Sequence, residues 1–292
     1  MGSVALVTDS TALLEPEAAA ASGITVVPLQ VVIDDVSYDE GTPEATPEEV
    51  ATALRDKRAV STSRPAPAVF AALYERLAAE GVEAILSVHL SAEVSGTFES
   101  ALVASRNAPV PVTCVDTRQV GMATGYAVES AARVLAADGS LEAAAEAARS
   151  RAGAATSLFY VDTLEYLRRG GRVGRAGAVL GGALAVKPLL GIEDGVIVPR
   201  AKVRTSAKAI ARLEALAVEA AGEGRVELSV AHLAAHDRAA ALAERLSEQL
   251  GDQVAAVPGG EHVRCVEVGG VLGAHVGPGM LAVCVAPLAD PA

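Results

Sequence analysis

The chain has 292 residues, 51% of them hydrophobic, with no Trp, 3 Phe and 5 Tyr, and a formal net charge of −12. That length favours two domains of roughly 100–200 residues each, built around aliphatic cores. The acidic balance argues against nucleic acid as a partner, and Cys114, Cys265 and Cys284, which form no CxxC or metal spacing, read as small core residues.

Taken in chain order, Val4–Val7 predicts a short strand ending at Thr8-Asp9-Ser10, and the β-branched run Ile24–Val32 a second strand. Thr46-Pro47-Glu48-Glu49 starts a helix that runs to about Arg58: Thr caps, Pro takes the first helical position and Glu49 completes a capping box. Helices over Pro67–Glu80, Thr97–Asn107, Ala123–Ala137 and Leu141–Ala152 alternate with strands Ala84–Leu90 and Val112–Asp116. Such alternation implies parallel βαβ units, hence an α/β fold with helices on both faces of a sheet.

Beyond residue 156 the pattern changes. A strand at Ser157–Val161 leads into a short helix over Leu164–Arg169 and a Gly-rich stretch from Gly170 to Gly182. Ala185–Ile192 and Val196–Val203 flank Asp194-Gly195, a hairpin signal that makes this part of the sheet antiparallel. Helices Ser206–Ala221 and Asp237–Leu250 enclose strand Glu227–Leu233, and strands Val263–Val268 and Met280–Ala286 enclose the Gly-rich segment Gly269–Gly279. The expected division is therefore residues 1–156, a parallel α/β domain, and 157–292, an α+β domain with a mixed sheet. No apolar stretch reaches the roughly 18–20 residues of a membrane span, and the N-terminus lacks the parts of a signal peptide, so the cytoplasm is the expected compartment.

Ligands of parallel sheets bind outside the carboxyl ends of the strands. Polar residues expected there are Thr8, Asp9 and Ser10, Ser61-Thr62-Ser63 in the turn before the Pro67 helix, the turn Ser91 to Thr97, and Asp116-Thr117. Ser95-Gly96-Thr97 pairs a hydroxyl with a glycine at a helix start, which suits an anion or an ordinary N-cap. Thr62 carries the same two readings. His275 stands in the Gly- and Pro-dense stretch Gly273 to Gly279, where a tight backbone allows close approach. His89 reads as structural, and His232, His236 and His262 as surface or loop residues. No nucleophile elbow, Walker loop, dinucleotide loop or zinc spacing is present, so neither a metal nor a cofactor is expected. Residues 151–212 carry eleven Lys/Arg and four Asp/Glu, a local +7 on an acidic chain, which points to an anionic ligand or partner or to an ordinary solvated face.

Together, Val7-Thr8-Asp9-Ser10, Ser61-Thr62-Ser63-Arg64-Pro65, Leu90 to Thr97, Thr163-Leu164-Glu165-Tyr166-Leu167-Arg168-Arg169-Gly170-Gly171-Arg172, Lys187-Pro188 and Gly273 to Gly279 resemble the DegV family of fatty-acid-binding proteins. The two long blocks are the specific ones. The resemblance implies a lipid tunnel between two domains, lined by aliphatic side chains, with no catalytic machinery of its own. Carried over by position, Thr62, Ser95, the Gly96 amide and His275 would hold the fatty-acid carboxylate. It also implies a partner, the ATP-binding subunit of fatty acid kinase, which converts the bound carboxylate to an acyl phosphate. Arg172 is then a candidate head-group contact. Arg204, with Arg200, Lys202 and Lys208, is a candidate contact for the kinase or, transiently, for a membrane surface. The alternative is a stand-alone acyl or phosphoryl transferase acting on a small anion. Two departures bear on the tunnel mouth or partner surface: Arg64, where the family has Gln or Ser, and Thr117 to Gly121, where it has serines.

Overall fold

The computed structural model describes residues 3–177, 187–256 and 263–288. The glycines at 181 and 182, the start of the strand expected at Ala185, and His262 lie outside the described residues. The chain runs through β1 (Val4–Asp9), α1 (Pro16–Ala21), β2 (Ile24–Val27), β3 (Gln30–Ile33), β4 (Val36–Asp39), α2 (Pro47–Arg55) and β5 (Val60–Ser63). It continues with α3 (Pro67–Ala79), β6 (Ala84–His89), α4 (Thr97–Ser105), β7 (Val112–Asp116), α5 (Met122–Ala136) and α6 (Leu141–Ala154). Then come β8 (Thr156–Tyr160), α7 (Glu165–Arg169), β9 (Lys187–Glu193), β10 (Val196–Val203) and α8 (Ser206–Ala221). The last elements are β11 (Val226–His232), α9 (His236–Leu250), β12 (Arg264–Glu267), α10 (Gly270–Val276) and β13 (Leu281–Pro287).

Two compact units result. One holds the chain through Gln30 together with Ser63–Gly153; the other holds Val31–Thr62 and the chain from Ala154 onward. The division expected near 156 meets the last crossing of the chain, but it places residues 31–62 in the first unit, and they group with the second. The reason is the packing of α2 and its flanks onto α10: a β-carbon on Gly270 would stand 2.8 Å from the Ala45 carbonyl oxygen and 2.9 Å from Val50. Thr62 therefore belongs with the C-terminal residues.

In the first unit, β2-β1-β6-β7 form a wholly parallel sheet. Alternation assigns its faces. Leu6, Leu86 and Val88 pack on the alanines of α5 and α6, whereas Val7 and Ile85 pack on Phe70, Tyr74 and Leu77 of α3 and Ala101 and Ala104 of α4. The run Ile24–Val32 is not one strand. Pro28 cannot donate to a ladder, and the chain leaves this sheet after Val27 to begin β3 in a separate three-stranded sheet of order β4-β3-β5. Ser61 to Ser63, read as a turn, lie in β5 of that sheet.

In the second unit, a six-stranded sheet runs β10-β9-β8-β13-β11-β12. The Asp194-Gly195 hairpin is present, with β10 antiparallel to β9, while β12 is parallel to β11. Leu213, Leu242 and Leu246 of α8 and α9 cover one face together with Leu228, Val230, Leu281 and Val283. The Gly269–Gly279 segment is not a loop: α10 occupies most of it, its N-terminus capped by Glu40, whose Oε1 accepts from the Val271 N–H at 2.7 Å.

A buried polar chain lies at the centre of the parallel sheet. Tyr74 donates its hydroxyl to Ser87 Oγ (2.9 Å), Ser87 Oγ lies 2.7 Å from His89 Nε2, and His89 Nδ1 lies 2.9 Å from Asp9 Oδ2. All four residues are fully buried. A proton on Nδ1 gives each link one donor and one acceptor, all running from Tyr74 to Asp9. His89 is structural, as its sequence setting indicated. Buried groups left unpaired cost about 1–3 kcal/mol each. Ser87→Ala strands both the Tyr74 hydroxyl and His89 Nε2, and should lower unfolding free energy by about 2–4 kcal/mol; Tyr74→Phe removes only the terminal donor and should cost about 1 kcal/mol. Urea denaturation of the two variants checks this order.

Candidate functional site

The second unit builds one polar corner. On β5, alternation places Val60 and Thr62 on the inward side, between exposed Ser61 and Ser63. Thr62 Oγ1 meets His275 Nε2, in the last turn of α10, at 2.9 Å. The other side of the imidazole rests on backbone. A β-carbon on Gly170 would stand 2.2 Å from His275 Nδ1, so only glycine at the end of α7 lets the ring occupy its place. The two long motif blocks, 163–172 and 273–279, thus meet as one piece of structure. Nδ1 is buried and has no hydrogen-bond partner among the described residues. Arg172 donates from Nη1 to the Gly170 carbonyl at 2.6 Å. Burial, and secondarily the Arg172 cation, push the His275 imidazole from 6.5 down to about 4, so the ring is neutral at physiological pH.

The first unit builds another corner, from Leu90 to Thr97 between β6 and α4. Its backbone is tied at successive positions to the ends of neighbouring strands. The Leu90 N–H donates to Asp9 Oδ2 at 3.1 Å, the Ser91 N–H to the Gln119 carbonyl at 2.8 Å and the Ala92 N–H to Asp116 Oδ1 at 3.3 Å. Asp9 Oδ1 is taken up as well, accepting from the N–H and hydroxyl of Thr11. The Asp9 and Asp116 carboxylates both serve loop backbone, and among the described residues no group of three or more His, Cys, Asp or Glu is placed to hold a metal ion.

Ser95 Oγ accepts from the Thr97 N–H at 3.3 Å and shares a 2.9 Å hydrogen bond with the Thr97 hydroxyl. Gly96, not Ser95, is the N-cap of α4 and has no side-chain cap, so the Ser95 hydroxyl closes a local turn ahead of the helix rather than capping it. The Gly96 N–H donates to no protein group among the described residues, so an amide donor is left beside the Ser95 hydroxyl. Arg64 crosses this turn, donating from Nη1 to the Gly96 carbonyl at 3.1 Å, a contact that the sequence reading did not anticipate.

Arg204 stands apart, exposed just after β10, the edge strand of the six-stranded sheet, and forms no hydrogen bond or ion pair among the described residues. Its neighbour Arg200 is paired with Glu193 at 3.0 Å. No described helix is long and apolar enough to cross a membrane.

These features define a two-unit α/β protein whose polar corners present hydroxyls, a neutral imidazole, an amide and the Arg64 and Arg172 guanidinium groups, which are groups able to hold an anion. The chain belongs to the DegV family: the family profile, described as "Uncharacterised protein, DegV family", matches residues 3–288. A DegV domain-containing protein of Streptomyces coelicolor is 52% identical over 282 residues, which span 97% of this chain and 98% of that protein. Among solved structures, a fatty-acid-binding DegV family protein of Thermus thermophilus is similar with a TM-score of 0.88 at 33% identity, over 99% of this chain and 100% of the other. DegV of Bacillus subtilis, described as a fatty acid binding protein, is similar with a TM-score of 0.87 at 32% identity over the same shares.

The His275 environment sets a sign for pH dependence. The unfolded chain takes up a proton below 6.5 that the folded chain refuses until about 4. Stability contributed by the neutral ring is therefore full above 6.5, falls as pH drops between these values and levels off below 4. The loss is on the order of 3 kcal/mol. His275→Asn should remove this slope, as measured by urea unfolding at a series of pH values.

Proposed function

We propose that this chain binds a long-chain fatty acid and presents its carboxylate to a separate ATP-binding kinase subunit. Thr62 and His275 of the second unit, and Ser95 with the Gly96 amide of the first, hold the head group. The carrying observation is the 2.9 Å Thr62–His275 hydrogen bond, which fixes a neutral imidazole beside a hydroxyl, in a chain whose solved relatives are described as fatty-acid-binding proteins. A carboxylate taken out of water costs several kcal/mol unless it is paired; the Ser95 hydroxyl, the Gly96 amide and the one donor that the Thr62–His275 pair leaves free supply the hydrogen bonds. Burial of the acyl chain contributes about 0.8 kcal/mol per CH₂, and the aliphatic interior of this Trp-free chain suits it.

Acyl phosphate formation needs only that one carboxylate oxygen stay exposed to the partner. It attacks the terminal phosphorus of ATP, a C–O–P linkage forms and ADP leaves. The site residues of this chain then orient the nucleophile, and the partner supplies nucleotide and phosphoryl chemistry. Arg204, unpaired beside the open edge of the six-stranded sheet, suits docking to an acidic surface of that partner.

Solvent extraction of the purified protein followed by mass spectrometry should recover fatty acid; recovery of none from protein that also fails to bind added palmitate would overturn the reading. Ser95→Ala and His275→Ala should each weaken palmitate binding about tenfold or more, the cost of one charge-assisted hydrogen bond, with little change in fold by circular dichroism. Arg204→Glu should depress acyl phosphate formation with the reconstituted kinase while leaving palmitate affinity within about twofold.

A further inference from the structure

The proposed head-group donors Thr62, Ser95, Gly96 and His275 share one property: none carries a formal charge at physiological pH. A fatty-acid carboxylate does, and hydrogen bonds from neutral donors compensate it only in part. One cation lies directly on the Ser95-Gly96 turn. The Arg64 side chain is folded over the Ser95-Gly96 turn so closely that a β-carbon on Gly96 would stand 1.7 Å from its Nη1, 2.7 Å from Cζ and 2.9 Å from Cδ. Gly96 has no side chain to prevent this, so the guanidinium plane sits on the turn that carries the Ser95 hydroxyl and the unpartnered Gly96 amide.

The Arg64 guanidinium makes one hydrogen bond, to the Gly96 carbonyl, and forms no ion pair among the described residues. That is notable in a chain with 36 acidic residues against 24 Lys and Arg. A guanidinium has five N–H donors in a planar fork, so most of its donors remain unspent. The bond to Gly96 holds the group in place without neutralising it.

We propose that Arg64 is a specificity-determining residue of the head-group site: its guanidinium, laid over Gly96, selects ligands by head-group charge. Resting on the fatty-acid reading above, this assigns the ligand class more narrowly. The site takes long-chain amphiphiles with an ionised head, prefers a dianionic phosphate over a carboxylate, and disfavours neutral alcohols and esters of the same chain length. Arg172 belongs to the His275 corner instead: it donates from Nη1 to the Gly170 carbonyl, its cation acts on the His275 ring, and it has a further partner.

The test compares wild type, Arg64→Gln and Arg64→Lys for binding of palmitate, hexadecyl phosphate and hexadecanol at low and high salt. Wild type should bind hexadecyl phosphate more tightly than palmitate and hexadecanol most weakly, with affinity for both anions falling as salt rises. Arg64→Gln should lose about tenfold for palmitate and more for the phosphate at low salt, become nearly insensitive to salt, and bind hexadecanol as wild type does. Arg64→Lys should keep the salt dependence while losing the added preference for phosphate, which depends on the planar fork. Arg64→Gln that binds both anions with wild-type affinity and salt dependence overturns the proposal and leaves the fatty-acid reading intact. Wild type that binds none of the three ligands overturns the fatty-acid reading instead. Because Arg64 is exposed, both variants should fold, and thermal unfolding verifies that before binding is read.

Discussion

The hydrogen bond between Thr62 and His275 closes a sequence separation of 213 residues, and much of the second unit is arranged so that it can form. A strand of the three-stranded sheet must present Thr62 inward. Helix α10 must dock on α2, which needs a glycine at 270. Helix α7 must end in a residue without a side chain, so that the imidazole can lie against its backbone. Each of these is a steric condition with a named atom at the point of closest approach. The bond is worth only about 1 kcal/mol by itself; its role is to fix where a neutral ring stands and which of its nitrogens is engaged.

The two polar corners handle buried polarity differently. In the first unit, Asp9 spends both oxygens, and the chain from Tyr74 through Ser87 and His89 passes a complete set of hydrogen bonds to it. A satisfied network of this kind rigidifies what it touches, and it touches the Leu90 amide, which leads into the Ser91–Gly96 turn. In the second unit, His275 keeps Nδ1 buried without a partner, a state that costs on the order of 1–3 kcal/mol. The chain beneath the first unit's turn is thus fully paired, whereas the second unit's corner keeps one buried nitrogen open among the described residues.

Much of this was legible in the sequence, and the parts that were not have physical causes. The parallel first sheet followed from alternating strand and helix patterns, and the β9–β10 hairpin from Asp194-Gly195. The run Ile24–Val32 misled because β-branched composition reports extended backbone but not which sheet receives it; Pro28 was the signal for the break. Thr62 was identified, yet assigned to a turn, since Ser-Thr-Ser has turn chemistry and only the pairing of β5 in its sheet overrides it. His275 was singled out for its glycines, but their meaning differed: they permit close helix packing rather than a tight loop. Gly170 and Arg64 matter through what they touch far along the chain, and no local pattern encodes such a contact.

For an amphiphile the two parts of the binding energy do different work. Hydrocarbon burial is large and nearly indifferent to direction, at about 0.8 kcal/mol per CH₂ whichever end enters first. An ionised head group moved into an apolar interior without partners costs several kcal/mol. A few correctly placed donors therefore need not add much affinity to decide orientation; they need only be absent everywhere else along the path. On the proposed reading, this explains the chemical economy of the chain. Hydroxyls, one neutral imidazole and one amide hold the head group, a cation laid on the same turn reads its charge, and an aliphatic interior accepts the rest. On that same reading these residues leave the carboxylate oriented and reactive, which is the state in which a partner enzyme can use it.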